Sequence, residues 1–326
     1  MKKVQYARRG PVPQDVVEVV DFQLPPLQAG QALVQVFASP INPSDVLTLT
    51  GQYGMLPPLP AVGGNEGVGY VAEIGENVTN LRVGQAVLLP IGSGTWTSHL
   101  IADASRLIVL PVGADMRQMA MLSINPPTAS LMLSEFINLQ AGEWVIQNAA
   151  NSAVGGYLIQ IARMRGLKTV NVIRRSSAQM TVIENGADVV LVDGDDLPRR
   201  VKEVTGRSKI RLGIDAVGGE ATNRLSKCLA EGATLVNYGA MSGEPGLIPA
   251  GTLIFRDIIM RGFWLARWFR QVNSQRQMEV FGELAAMIST GALKANIEAS
   301  YKIEQAREAI TAAAAGERNG KILLEP

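Results

Sequence analysis

The sequence predicts an α/β chain of two parts: a doubly wound parallel-sheet domain and a small, irregular β-barrel-like domain. Three observations predict it. Strand and helix patterns alternate from residue 143 onward, as a parallel sheet with crossover helices requires. Short strand patterns punctuated by Gly, Asn and Pro fill the chain before about residue 115, with few helices between them. The length of 326 residues suits one large or two ordinary domains.

Each element follows from its local pattern. VVEVVDF (16–22) and ALVQVFAS (32–39) read as strands, and VGYVAEIG (68–75) and GQAVLLP (84–90) continue the series at short spacing. Near residue 115 the character changes. MRQMAMLSI and PTASLMLSEFINL have helical spacing, and Pro126 and Pro127 predict a bend or break there. EWVIQNA (143–149) is a strand, and AVGGYLIQIARMRG (153–166) a helix with Val154, Leu158, Ile161 and Ala162 on one face. KTVNVIRR (168–175) is the next strand, and SAQMTVIENG a helix ending at Gly186. DVVLVDG (188–194), IRLGIDAV (210–217) and ATLVNYG (233–239) are apolar enough for strands buried on both faces. After about residue 262 the alternation stops. A Trp-bearing segment and a helix around 276–291 follow, and the end of the chain returns to the first domain. The expected boundaries are 1–118 with 263–326 for the β domain and 119–262 for the α/β domain.

Composition excludes several classes. Hydrophobic residues make up 47% and charged residues 18%, enough apolar material for a sizeable core and against disorder. Thirty basic and 29 acidic side chains leave a net charge of +1, which excludes a strongly basic nucleic-acid binder. The one cysteine, Cys228, forms no disulfide within the chain and fits a reducing compartment. With one histidine, His99, a structural zinc site lacks ligands, and no metal is expected. No stretch approaches the ~18 apolar residues of a membrane span, and MKKVQYARRG has no apolar segment behind it. A cytoplasmic location is expected, with no membrane and no nucleic-acid partner.

The turn after the 143–149 strand reads AANSAVGG. Small residues there let backbone N–H groups approach a pyrophosphate at a helix N-terminus. In the G-x-G-x-x-G register Ala150 and Ser152 replace two glycines and Gly155 remains, so strand–loop–helix context carries the dinucleotide reading. Nineteen residues beyond Gly155, where an NAD site would place a carboxylate, stand Arg174, Arg175 and Ser176. A guanidinium binds a 2′-phosphate in bidentate fashion. NADPH is therefore expected, the alternative being a solvated strand edge.

The order of these parts resembles the medium-chain dehydrogenase/reductase superfamily, with SPINPSD (39–45), GEN (75–77) and VGQAVLLP (83–90). The resemblance implies a Rossmann domain beside a GroES-like catalytic domain. Zinc-dependent members carry Cys and His ligands where this chain has Asn42-Pro43-Ser44-Asp45 and Gly64-Asn65-Glu66, so it looks like a zinc-independent branch. LPAVGGNEGVG (59–69), INPPTA (124–129), VIQNAANSAVG (145–155), NVIR (171–174), YGAM (238–241), GFWLARW (262–268) and Gly320-Lys321 resemble the 2-enoyl thioester reductases. Gly54, Ala153 and Ala240 depart from that family's usual Pro, Gly and Gly.

The resemblance implies NADPH-dependent reduction of a trans-2-enoyl thioester, carried by coenzyme A or an acyl carrier protein, and a homodimer. Tyr53, between Gly51 and Gly54, matches the catalytic tyrosine, and a neutral donor suits the negative charge that develops on the thioester oxygen. Without the match, a loop aromatic packed on its own domain is the plainer reading. Trp264 matches a tryptophan near cofactor and thioester; core or interface packing is its alternative. The implied cofactor set is Asn125; Asn151, Ser152, Ala153, Val154 and Gly155; Arg174, Arg175 and Ser176; Tyr238, Gly239, Ala240 and Met241; Phe263, Trp264 and Leu265; and Lys321. Asn125 has a helix-terminal alternative and Lys321 a solvated one. Glu66 is assigned no chemistry, and Cys228 reads as structural. Arg267, Arg270 and Arg276 either meet substrate phosphates or form a solvated basic face. A quinone oxidoreductase, or a nucleotide-binding member without turnover, are the competing readings.

Overall fold

Ala32, Val34, Val36 and Ala38 are buried while Gln35 and Phe37 between them are exposed, the two-residue period of a strand with one wet face. That strand is the spine of the first of two units in this computed structural model, which describes residues 1–316 and 318–326. By contact the units are Met1–Ile124 with Phe281–Pro326, and Asn125–Val280. The sequence boundaries were 118/119 and 262/263. Residues 263–280 group with the second unit through contacts such as Phe263 edge-on to Phe136 at 6.1 Å.

The first unit opens with β1 (Lys2–Tyr6), β2 (Val17–Asp21), β3 (Gln31–Pro40), α1 (Pro43–Thr50), β4 (Ala61–Val62), β5 (Val68–Ile74), β6 (Ala86–Leu88), β7 (His99–Asp103), β8 (Ile108–Val109) and α2 (Met116–Met119). The second unit follows with α3 (Asn125–Met132), β9 (Trp144–Gln147), α4 (Ala153–Met164), β10 (Lys168–Ile173), α5 (Gln179–Glu184), β11 (Val189–Val192) and α6 (Leu197–Val204). It continues through β12 (Ile210–Asp215), α7 (Gly219–Cys228), β13 (Thr234–Asn237), α8 (Ala250–Arg256), β14 (Ile259–Gly262), α9 (Leu265–Gln271) and α10 (Ser274–Ser289). The chain then adds β15 (Ile297–Tyr301), α11 (Ala306–Ala314) and β16 (Lys321–Leu324) to the first unit.

The first unit holds a seven-stranded sheet, ordered β15-β16-β3-β5-β6-β8 with β7 also on β3, and a three-stranded sheet, β2-β1-β4. The C-terminal strand β16 pairs antiparallel with β3, Leu323 opposite Pro40. Val34, Val71, Val87, Leu89 and Leu100 fill one core. A second core joins Val4, Tyr6, Leu49 and Trp96 to Ile310 of α11.

The second unit is a six-stranded parallel sheet, β11-β10-β9-β12-β13-β14. One apolar cluster joins its strands to Leu197 and Val201 of α6 and Leu225 of α7. Another joins Ile173 to Ile159 of α4 and Val182 of α5. Helices on both faces make the sheet doubly wound, and each fully buried Leu, Ile or Val stabilises it by about 1.5–3 kcal/mol. The chain breaks as expected between two helices, α2 ending at Met119, and Pro126 and Pro127 stand at the start of the second. Both prolines sit in the first turn of α3, where a missing N–H costs no helical hydrogen bond. Among the described residues no helix is long and apolar enough to cross a membrane.

Candidate functional site

The residues expected at the site fall into two sets, one in each unit. In the second unit, the chain leaves β9 through Ala149, whose φ of +48° lies in the left-handed region. It then enters α4 at Ser152, whose Oγ accepts from the Gly155 N–H at 3.1 Å. A Cβ on Gly155 would stand 2.6–2.8 Å from the backbone of Ala150. Here the missing side chain is a packing requirement, and the helix N-terminus with its N–H groups stays open to an anion. Asn151, Ser152 and Ala153 are half-exposed, and Val154 and Gly155 are buried.

Arg174 and Arg175 leave the end of β10, next to β9 in the sheet, with Arg174 and Ser176 exposed. Tyr238, Gly239, Ala240 and Met241 leave the end of β13. Tyr238 N–H donates to Asp215 O, and Met241 N–H to Ala216 O, both at 3.0 Å. Burial pushes the Tyr238 phenol up to about 12, opposed by Ser152 nearby. The phosphate loop and the 238–241 loop are thereby brought together at the C-terminal ends of parallel strands, where ligands of such sheets bind. Phe263 and Leu265 are half-buried. Trp264 caps α9, its ring under the Arg270 guanidinium at 4.9 Å. Arg276 reaches Glu279 at 3.5 Å and Glu135 at 3.9 Å. Asn125 opens α3 and is buried.

In the first unit, Gly51 ends α1 at φ +80°, and the N–H groups of Gln52 and Tyr53 both turn back to Leu47 O at 2.8 and 3.2 Å. Tyr53 is thereby fixed, half-buried, at the start of an exposed loop. The opposite end of α1 holds a buried polar cluster. Asn42 N–H donates to Asp45 Oδ2 at 2.7 Å, and Asn65 Nδ2 to Asp45 Oδ1 at 2.7 Å. Asn42 Nδ2 donates to Glu66 Oε1 at 2.7 Å, and Lys321 Nζ donates to Asn42 Oδ1. Burial pushes the Asp45 carboxyl up to about 6. It also raises Glu66 and lowers Lys321, each opposed by the other's charge. Lys321 is therefore a buried member of this cluster; the solvated alternative does not hold.

The cluster occupies the two segments where zinc-dependent relatives were expected to carry ligands. Its donors are two carboxamides and two carboxylates with a lysine ammonium among them, and it includes neither thiolate nor imidazole. That set does not fit zinc. His99 lies on β7 and hydrogen-bonds Ser98, and Cys228 lies in α7 with its thiol pushed up to about 12 by burial.

The zinc-binding dehydrogenase family matches residues 153–284, and the alcohol dehydrogenase GroES-like domain family residues 28–112. The mitochondrial enoyl-[acyl-carrier-protein] reductase of Caenorhabditis elegans is 40% identical over 87% of this chain and 83% of its own. That of Rattus norvegicus is 37% identical over 92% and 82%. The chain belongs to the enoyl-[acyl-carrier-protein] reductase family. This family lies within the medium-chain dehydrogenase/reductase superfamily, as the two domain matches require. Among solved structures, the Etr1p complex with NADP and crotonyl-CoA superposes with a TM-score of 0.91 at 26% identity, covering 100% of this chain and 99% of that one. A Bacillus thuringiensis protein described as an NADPH:quinone reductase gives 0.91 at 27%, covering 100% and 98%. Structural likeness alone does not separate the two activities; the curated enoyl reductase relatives do.

Sequence reading missed the Asn42–Asp45–Glu66 cluster and Asp215, which is fully buried at the end of β12. Some of their partners are near in the chain, as in Asn42–Asp45 and Asp215–Thr222, but others lie 24, 67 and 279 residues away, so no single local spacing signals either group.

Proposed function

We propose that this chain reduces the carbon–carbon double bond of trans-2-enoyl thioesters with NADPH, without zinc. The observation that carries the reading is 40% identity over most of both chains to an enoyl-[acyl-carrier-protein] reductase. The chemistry the cofactor supplies when bound is a hydride for the β-carbon of the enoyl group. The residues present fit that cofactor. The open N-terminus of α4, behind a Gly155 that admits no side chain, receives the pyrophosphate. Arg174 and Arg175, with Ser176, receive the 2′-phosphate. Asn125, the 238–241 loop and the Phe263–Leu265 segment orient the nicotinamide half, with Trp264 also near the thioester.

Tyr53 donates a hydrogen bond to the thioester oxygen as negative charge develops there, and delivers the proton to the α-carbon. Its loop carries Met55, Leu56 and Leu59, all exposed, which suits an acyl chain. The thioester is carried by coenzyme A or an acyl carrier protein. The active form is a homodimer, for which the exposed apolar edge of the second unit provides a surface. One cysteine with a buried thiol fits a reducing location such as the cytoplasm; the curated relatives are mitochondrial, and fractionation of the expressed chain decides between them.

The test follows NADPH oxidation with crotonyl-CoA, a longer trans-2-enoyl-CoA and a small quinone. Thioester turnover, with NADH poor, is expected. Tyr53→Phe should lower kcat on the thioester by about a hundredfold, within the range of general acid catalysis, while NADPH still binds. Quinone turnover without thioester turnover would move the function to the quinone reductases. NADPH binding with no turnover would make the chain a nucleotide-binding member.

A further inference from the structure

We infer that Asp215 is a positioning residue that sets the two cofactor loops of the second unit against each other. The inference rests on the cofactor reading above. Asp215 ends β12, a central strand, and is fully buried. Five neutral donors reach its carboxylate. Asn148 Nδ2 is 2.6 Å from Oδ1, and the N–H groups of Val217 and Gly218 are 3.0 and 3.3 Å from the same atom. Thr222 Oγ1 is 2.6 Å and Asn237 Nδ2 2.9 Å from Oδ2. A buried charge is costly without such partners, and hydrogen bonds to a charged group are about twice as strong as neutral ones. The carboxylate is therefore a rigid hub.

What the hub holds gives it a role beyond stability. Asn148 is the residue before Ala149, where the chain turns into the phosphate loop. Its Oδ1 accepts from Ala216 N–H at 2.8 Å, so both ends of its carboxamide are fixed. Asn237 is the residue before Tyr238, where the second loop begins. Its Nδ2 donates to Asp215 and also to Gly239 O at 2.9 Å. The Asp215 carbonyl receives Tyr238 N–H at 3.0 Å. One carboxylate thus fixes the carboxamide that stands before each loop, on strands to either side of its own. Gly239 lies close against the next strand's end: a Cβ there would lie 3.0 Å from Ala216 O. A shift of either carboxamide moves a cofactor-facing loop directly.

Asp215→Asn keeps size and shape but turns one acceptor into a donor. It sets an N–H against the Asn148 side or against Asn237. Asn237→Ala removes the link to Gly239 O and leaves the carboxylate four donors. Val201→Ala, in the apolar core under α6, provides a destabilised variant away from both loops. NADPH binding by fluorescence titration, thermal melting, and kcat and KM on crotonyl-CoA would be measured for each. Asp215→Asn and Asn237→Ala are expected to raise the Kd and KM for NADPH roughly tenfold to a hundredfold, the range for losing a charged hydrogen bond. Val201→Ala should stay within about twofold at a similar loss of Tm. If Asp215→Asn does not fold, Asn237→Ala decides. The inference is overturned if Asn237→Ala binds NADPH as the wild type does, or if Val201→Ala weakens it equally. Wild-type protein that fails to bind NADPH would overturn the cofactor reading, and this inference with it.

Discussion

Arg174 is exposed at the end of β10, where a strand end next to the phosphate loop meets the adenosine side of a dinucleotide. Under the proposed cofactor reading, replacing it with Asp would put a carboxylate against the 2′-phosphate. Arg174→Asp should weaken NADPH at least about tenfold, the value of roughly 1.4 kcal/mol, and leave NADH nearly unchanged. Titration of each cofactor by fluorescence checks it, and equal losses would mean that the arginine faces something else. A second residue carries a pH signature. Lys321 is the cation beside buried Glu66, joined through Asn42. Burial raises the Glu66 carboxyl to about 7, so its contribution to stability is present below its unfolded value of 4.5 and fades as pH rises through the folded one. Lys321→Met removes the charge that opposes this rise. It should cost about 3–5 kcal/mol near pH 7.5, where Glu66 is ionised and Lys321, itself pushed down to about 8, still holds its proton, and clearly less near pH 5, where the carboxyl is protonated. Urea denaturation at the two pH values tests it; an equal loss at both would show that packing rather than charge is at stake. Residues of these two kinds differ in how far the sequence reveals them. The place of Arg174 at the end of β10 was legible because a fixed distance along one strand–helix–strand unit locates it. Glu66 and Asp215 were not: Glu66 is held by Asn42, and Asp215 by Asn148 and Asn237 as well as near neighbours, and only the folded chain brings these segments together.

At the scale of elements, Gly155 shows what survives when a motif is degraded. Two of three glycines are absent from the loop, yet the remaining one is the position where α4 presses on the Ala150 backbone. Gly155→Ala should therefore lower stability by about 1–3 kcal/mol through overpacking and weaken NADPH, since relief requires α4 to move away from the loop. Thermal melting with and without NADPH measures both, and unchanged affinity would show that the helix end does not meet the cofactor. Strands β9, β10, β12 and β13 were legible, each an apolar run closing within a few residues of its predicted ends, because burial on both faces leaves a continuous signal. Helix α1 was not. Its eight residues begin with Pro43 and carry a buried Asp45 as half of a capping box, so it lacks an apolar stripe long enough to read. The stretch from 116 to 132 was read as two helical runs broken by prolines. In the structure a short α2 precedes an α3 that the prolines start, because proline favours the first turn as strongly as it disfavours the interior.

For the whole molecule, the parallel sheet of the second unit ends at β14, an edge strand whose four residues are all exposed. The helix before it, α8, presents Ile254 at 70% and Phe255 at 81% exposure, with Leu247, Ile259 and Met260 exposed nearby in the chain. An open edge beside large apolar side chains is a liability unless something covers it. The occupant proposed above is a second copy, since edge strands related by a twofold axis can continue one sheet into the other, and the same patch then serves both partners. Each large apolar side chain buried there contributes about 1.5–3 kcal/mol. The paired change Ile254→Glu with Phe255→Glu should therefore weaken self-association by roughly a hundredfold or more, and should leave NADPH affinity intact because neither side chain belongs to the cofactor loops. Light scattering on a sizing column reads the outcome: twice the chain mass for the wild type at micromolar concentration, and the single-chain mass for the variant. A wild type that elutes at single-chain mass would leave the edge to some other partner, and a variant that stays dimeric would place the interface elsewhere on the chain.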